Sequence, residues 1–216
     1  NPKLLGPDWT KFQPHRETTL ADVFKTAGYI SASIGKWHLG TEPYYPEKHG
    51  FDVNIAGTDK PQPPTYHAPW KIPTLAPEGK DGEYLTDRLG EEAANFIERS
   101  KDRPFFLYLP HFAVHLPLHG RADLVVKYQK KIRAGLTHKK AAYAAMTESL
   151  DAAVGRVRAK LDELNLSHRT IIVFTSDNGG RITQGSTSNA PLRYGKASAY
   201  EGGVRVPLIV YWPGVT

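Results

Sequence analysis

The chain has 216 residues, 40% hydrophobic and 23% charged, which is enough for one sizeable domain with a single large core. It contains no cysteine, which excludes disulfides, zinc–thiolate sites and a cysteine nucleophile, and no apolar run approaches the roughly 18 residues of a membrane span. The net charge of +6 raises nucleic acid as a partner, but the basic residues are spread out. The one dense basic cluster, 127–140, falls in a stretch predicted to be helical and reads as a solvated helix face, so no nucleic-acid partner is expected. An anionic substrate fits the same excess charge.

In chain order, Thr19-Leu20-Ala21-Asp22 resembles a capping box with a shorter acid, and Leu20, Val23, Phe24 and Ala27 keep helical spacing up to Gly28. Ile30, Ala32 and Ile34 then alternate as a strand. Residues 41–82 carry eight prolines between Pro43 and Pro77, too long a stretch for an ordinary connection, so it is either disordered or a functional insertion. Tyr66, His67 and Trp70 within it favour an ordered loop on the substrate side. Leu85, Leu89, Ala93, Phe96 and Ile97 predict a second helix, stopped by Asp102-Arg103-Pro104. Residues 105–109 make a fully apolar strand of the kind buried in the middle of a parallel sheet. A long helix from about Thr137 carries Tyr143, Met146, Leu150, Val154, Val157, Leu161 and Leu164 on one stripe, and strands follow at 170–174 and 206–212. The alternation predicts an α/β fold with a largely parallel sheet sandwiched by helices. The chain opens Asn1-Pro2-Lys3 without a Met and ends directly after its last strand, so it reads as truncated at both ends.

Three polar segments follow predicted strands, where ligands bind in open α/β sheets. In Gly35-Lys36-Trp37-His38-Leu39-Gly40, Lys36 and His38 sit two apart and can face one pocket, unless Trp37 packs and leaves both in solvent. Asp177-Asn178 offers a carboxylate and an amide oxygen, hard ligands suited to calcium or magnesium. Two are too few for calcium, which takes roughly 6–8 oxygens, and Asp-Asn-Gly-Gly is also strong turn chemistry. His115, just past the 105–109 strand, is either a proton donor or a structural histidine. His111, His115 and His119 are spaced by four, but Pro110 and Pro117 argue against a helix and so against a three-histidine metal site. Lys196, in Pro191-Leu192-Arg193-Tyr194-Gly195-Lys196, is by itself an ordinary surface lysine.

The order and wording of these segments resemble the sulfatase family of the alkaline-phosphatase-like superfamily. The resemblance runs from 27–40 through 105–117 and 173–180 to 191–207, and covers the chain from about Thr18 to Gly214. It implies an alkaline-phosphatase-like sulfatase core that hydrolyses sulfate esters of carbohydrates or aryl alcohols. On the matching positions, Asp177 and Asn178 would ligate calcium, with magnesium the lesser candidate. Lys36 and Lys196 would bind the sulfate and stabilise charge near the nucleophile and the leaving oxygen. His115 would protonate the leaving alcohol, and His38 would act as a base that helps release sulfate from the covalent intermediate.

The family's formylglycine nucleophile arises from a Cys/Ser-x-Pro-x-Arg motif, and paired N-terminal aspartates complete its calcium site. Neither is present here; the nearest look-alike, Asn189-Ala190-Pro191-Leu192-Arg193, has Asn at the nucleophile position. Both are expected upstream of residue 1, so residues 1–216 read as a partial sulfatase catalytic domain with an insertion at 41–82, inactive on its own. The aromatic-rich segment from Tyr44 to Trp70 points to a carbohydrate substrate. Two other readings stay open: a sulfatase-like protein that binds sulfated glycans without catalysis, and a related phosphoryl-transfer hydrolase with a Ser or Thr nucleophile. The resemblance also implies that the complete protein is exported.

Overall fold

The computed structural model describes residues 8–216; the opening Asn1-Pro2-Lys3 lies outside them. Helix α1 (Leu20–Thr26) begins at a complete capping box: the Asp22 N–H donates to Thr19 Oγ1 at 3.2 Å, and the Asp22 carboxylate accepts the Thr19 N–H at 2.9 Å. Its spacing is helical, but Leu20 and Val23 are exposed and Ala21 is the residue that goes inward. Strand β1 (Ile30–Ile34) follows and forms the centre of a three-stranded parallel sheet. Strand β2 (Val53–Ile55) lies on one side of it and β3 (Phe105–Tyr108) on the other.

Helix α2 (Leu85–Ser100) buries all five residues that mark it in the sequence. It packs closely on α4 (Ala141–Glu163), because a Cβ at Gly90 would stand only 2.9 Å from the Ala153 Cβ. Helix α4 starts four residues later than expected, and of its stripe Met146 and Leu161 are the fully buried members. A short helix, α3 (Ala122–Gln129), also packs against it.

Strands β4 (Ile172–Thr175) and β5 (Leu208–Tyr211) form a separate sheet and run antiparallel, Ile172 opposite Tyr211. The parallel arrangement therefore holds for β1, β2 and β3 but not for this pair. The physical reason is the connection between β4 and β5, whose only α-helix is the four-residue α5 (Glu201–Val204). A parallel return needs a crossover, usually a full helix. Strand β3 is half-buried rather than buried, since β1 is its only strand neighbour among the described residues.

Two further expectations are corrected. The basic cluster 127–140 is helical only at its start: α3 ends at Gln129, Gly135 turns the chain at φ +84, and Lys140 caps α4. Segment 41–82 is ordered, but Tyr66 and Trp70 are not on a loop surface. Tyr66 and Trp70 are fully buried and share one cluster with Ile34, Leu85, Leu89 and Met146. Strands of three to five residues cover little apolar area, and these large side chains supply the missing core volume. Trp70 is accordingly a packing residue. Trp70→Ala is expected to cost about 3–5 kcal/mol and to lower the calorimetric Tm by several degrees, whereas a loop residue facing substrate would leave Tm unchanged.

Candidate active site

The Lys36–His38 loop is set by backbone contacts at the end of β1. Gly35 has φ +128, and a Cβ there would collide with the Pro110 carbonyl. That carbonyl instead accepts the Lys36 N–H at 2.7 Å, while the Gly35 N–H donates to the Ile55 carbonyl at 2.8 Å. Trp37 turns inward, packs with Ala21 and Phe51, and donates its indole N–H to the Tyr44 carbonyl at 2.8 Å. Packing of Trp37 does not leave both neighbours in solvent: Lys36 is half-buried and His38 exposed. His38 takes φ 60, held by its N–H on the Thr58 carbonyl at 2.8 Å.

Past β3, the same Pro110 leads into His111 and His115. The His115 N–H donates to the Phe112 carbonyl at 2.8 Å, and the His115 carbonyl accepts the buried Tyr66 hydroxyl at 3.0 Å. The ring Nδ1 lies 3.2 Å from the Leu116 carbonyl. A carbonyl only accepts, so Nδ1 carries the hydrogen and Nε2 remains the free nitrogen. His111, His115 and His119 do not gather, and no group of three His, Cys, Asp or Glu suited to a metal occurs among the described residues.

The loop after β4 carries Asp177 and Asn178, whose side chains meet at 2.6 Å, amide to carboxylate. Gly179 lies directly under Gly202, where a Cβ would strike the Gly202 carbonyl, and its N–H donates to the Gly203 carbonyl at 2.9 Å. The Lys196 N–H donates to the Gly180 carbonyl at 3.1 Å. Asn189 fastens the two segments together: its Oδ1 accepts the Gly180 N–H at 3.2 Å, and its Nδ2 donates to the carbonyls of Gly180 at 2.8 Å and Tyr194 at 3.0 Å.

The electrostatics join the four segments. The Lys36 ammonium is held below its ordinary range by burial; Asp177 opposes this and Lys196 adds to it. His38 is depressed by burial, then by Lys36 and Lys196, with Asp59 opposing. His115 is depressed by burial and by Lys196 and Lys36, against the Leu116 carbonyl and Asp177. Lys36 and Lys196 therefore act on both His38 and His115, and Asp177 on Lys36 and His115, although these residues come from four separate segments. Sequence reasoning missed several residues here. Tyr108, the last residue of β3, is raised by its partly dehydrated setting and by the Asp177 carboxylate. Tyr66 and Asn189 position the site through backbone atoms. Asn189 heads the nucleophile look-alike; its isolated amide in a Ser/Thr/Asn run gave no sign of this role.

The Sulfatase family model matches residues 3–216. The chain belongs to the sulfatase family. It is 34% identical over 267 residues to a sulfatase of Formosa agariphila, covering 95% of this chain and 48% of that protein. It is also 34% identical to the N-acetylgalactosamine-6-sulfatase of Canis lupus familiaris, covering 93% of this chain and 41% of the relative. The crystal structure of Ps i-CgsB in complex with k-i-k-neocarrahexaose superposes with a TM-score of 0.78 at 30% identity, covering 95% of this chain and 50% of the other. The chain thus spans about half the length of the sulfatases it matches, and the fold is that of the alkaline-phosphatase-like sulfatases.

Burial is the first cause of depression for His38, His49, His111 and His115 alike, and it pushes His111 to about 4. Neither ring nitrogen of His111 has a hydrogen-bond partner. The unfolded chain takes up these protons near pH 6.5 and the folded sulfatase segment only below that. Stability is therefore complete above pH 6.5 and falls as pH drops towards 4. His111→Leu is expected to remove the largest single part of that fall, roughly 2 kcal/mol between pH 7.5 and 4.5. Urea unfolding at the two pH values measures it; equal acid losses in both proteins would contradict it.

Proposed function

We propose that the complete protein hydrolyses sulfate esters and that residues 1–216 form part of its catalytic domain. One observation supports this reading: Lys36 and Lys196, on separate loops, both act on His115, and Lys196 and Asp177 both act on Lys36. Cations held together in a partly dehydrated site disfavour one another, and an anionic group between them relieves that repulsion.

In this reading Lys36 and Lys196 bind the sulfate oxygens, Lys196 on the side of the leaving oxygen. His115 keeps Nδ1–H on the Leu116 carbonyl and delivers a proton from Nε2 to the departing alcohol. Its pKa is low in the resting site, but a bound sulfate ester raises it, so the acid form gathers when substrate is in place. His38 serves as the base for sulfate release. Asp177 and Asn178 would hold the metal, since a carboxylate and an amide oxygen are the ligands hard cations take. Calcium is proposed over magnesium on family grounds, with further oxygens from beyond these two residues. When bound, the metal supplies positive charge that polarises the sulfuryl oxygens. The formylglycine nucleophile is assigned to a part of the protein outside this chain, and export of the complete protein belongs to the same reading.

The substrate is proposed to be a sulfated carbohydrate, supported by the N-acetylgalactosamine-6-sulfatase relative and the carrageenan-bound neighbour. Tyr66 and Trp70 no longer add to that argument, because they are core.

Turnover of 4-nitrophenyl sulfate and 4-nitrophenyl phosphate by the complete protein tests the reading. Sulfate hydrolysis is expected to dominate, and His115→Ala or Lys196→Ala to lower kcat by roughly 10²–10³. Preferred phosphate hydrolysis would place the protein with the phosphoryl-transfer hydrolases. Residues 1–216 alone are expected to be inactive, and turnover by them would refute the assignment of the nucleophile elsewhere.

A further inference from the structure

Besides Tyr108 at the end of β3, two exposed aromatics lie on the Lys196 loop. Tyr194 is 54% exposed and Tyr200 45% exposed, and their rings stack at 5.0 Å with planes 14° apart. The Arg193 guanidinium sits 4.0 Å from the Tyr200 ring centre and 5.4 Å from that of Tyr194. No ion pair among the described residues includes Arg193, whereas Arg205 on the same segment is paired with Glu201. Its charge rests on the two rings and has no carboxylate partner. Tyr194 also has φ 60, a left-handed backbone that is unfavourable for a bulky L-residue and that glycine would adopt freely. Its carbonyl is tied to Asn189, so the conformation belongs to the clamp that fixes Lys196, two residues on.

We propose that Arg193, Tyr194 and Tyr200 form a saccharide platform beside the sulfate pocket. The proposal rests on the sulfated-carbohydrate reading above and names its specificity determinant. The two tyrosine faces take the apolar C–H face of a sugar ring, and Arg193 pairs with an anionic substituent, sulfate or carboxylate, on that ring or its neighbour. An occupant of this chemistry follows from three features: flat exposed rings, an unpaired cation, and direct chain continuity with Lys196. A purely structural tyrosine pair would be expected to bury its faces and to avoid a strained backbone.

The two roles predict opposite effects of Tyr194→Gly. Glycine relieves the backbone strain and removes the ring. A platform residue then gives a Tm that is unchanged or a few degrees higher, with affinity for a carrageenan hexasaccharide weakened roughly tenfold or more, by calorimetry on the complete protein. Arg193→Gln is expected to weaken the sulfated hexasaccharide while leaving its desulfated form unaffected. A lower Tm with unchanged hexasaccharide affinity makes Tyr194 a packing residue and overturns the proposal, as does wild-type protein that fails to bind the hexasaccharide. Turnover of 4-nitrophenyl sulfate by the wild-type protein reports on the sulfatase reading independently, because that ester carries no saccharide. Turnover by the wild-type protein alongside weakened hexasaccharide binding by Tyr194→Gly supports both readings; wild-type turnover with unweakened binding removes the platform alone.

Discussion

The candidate site depends on backbone packed directly against backbone at two glycines. At Gly35 the Pro110 carbonyl fills the space a side chain would need, so the Lys36–His38 loop and the segment leading to His115 are fixed to each other. At Gly179 the Gly202 carbonyl does the same for the Asp177–Asn178 loop and the loop that carries Lys196. Any Cβ at either point forces one loop away from its partner. The functional side chains need a relative placement within about half an ångström, and side-chain packing alone rarely holds four loops that closely. Glycine contacts, with Asn189 bridging Gly180 and Tyr194, do so using backbone hydrogen bonds.

The scaffold behind these clamps is small. Three short parallel strands give direction to the loops, and the core is completed by α2, α4 and the aromatics of 41–82. Tyr66 shows how core and site are joined, because the same residue fills the core and donates its hydroxyl to the His115 carbonyl. Burial also sets the chemistry. It is the first cause of the depressed pKa at Lys36, His38 and His115, so the surroundings favour the neutral form of each of these groups.

Much of this was legible in the sequence because local pattern sufficed. The capping box, the five buried residues of α2, and the Gly-bounded Lys36–His38 and Asp177–Asn178 segments all declare themselves within a few residues. What failed was non-local. The direction of β4 against β5 is set by the connection rather than by either strand's composition. Strand β2 has three residues and no distinct pattern amid prolines. Tyr66 and Trp70 look alike as a sugar-stacking surface or as core, and only packing against Leu85 and Met146 separates the two. The contribution of Asn189 lies in where its amide falls in space, and that of Tyr194 in a backbone angle; neither leaves a trace in residue identity.

The central claim is that Lys36, Lys196, His38 and His115 form one anion site. The most direct measurement is an NMR titration of the imidazole C–H signals of His38 and His115 across pH, at increasing inorganic sulfate. The account predicts that both pKa values rise together on a single binding curve, and that Lys196→Ala removes both responses. Separate curves for the two histidines, or no response from His115, would contradict it.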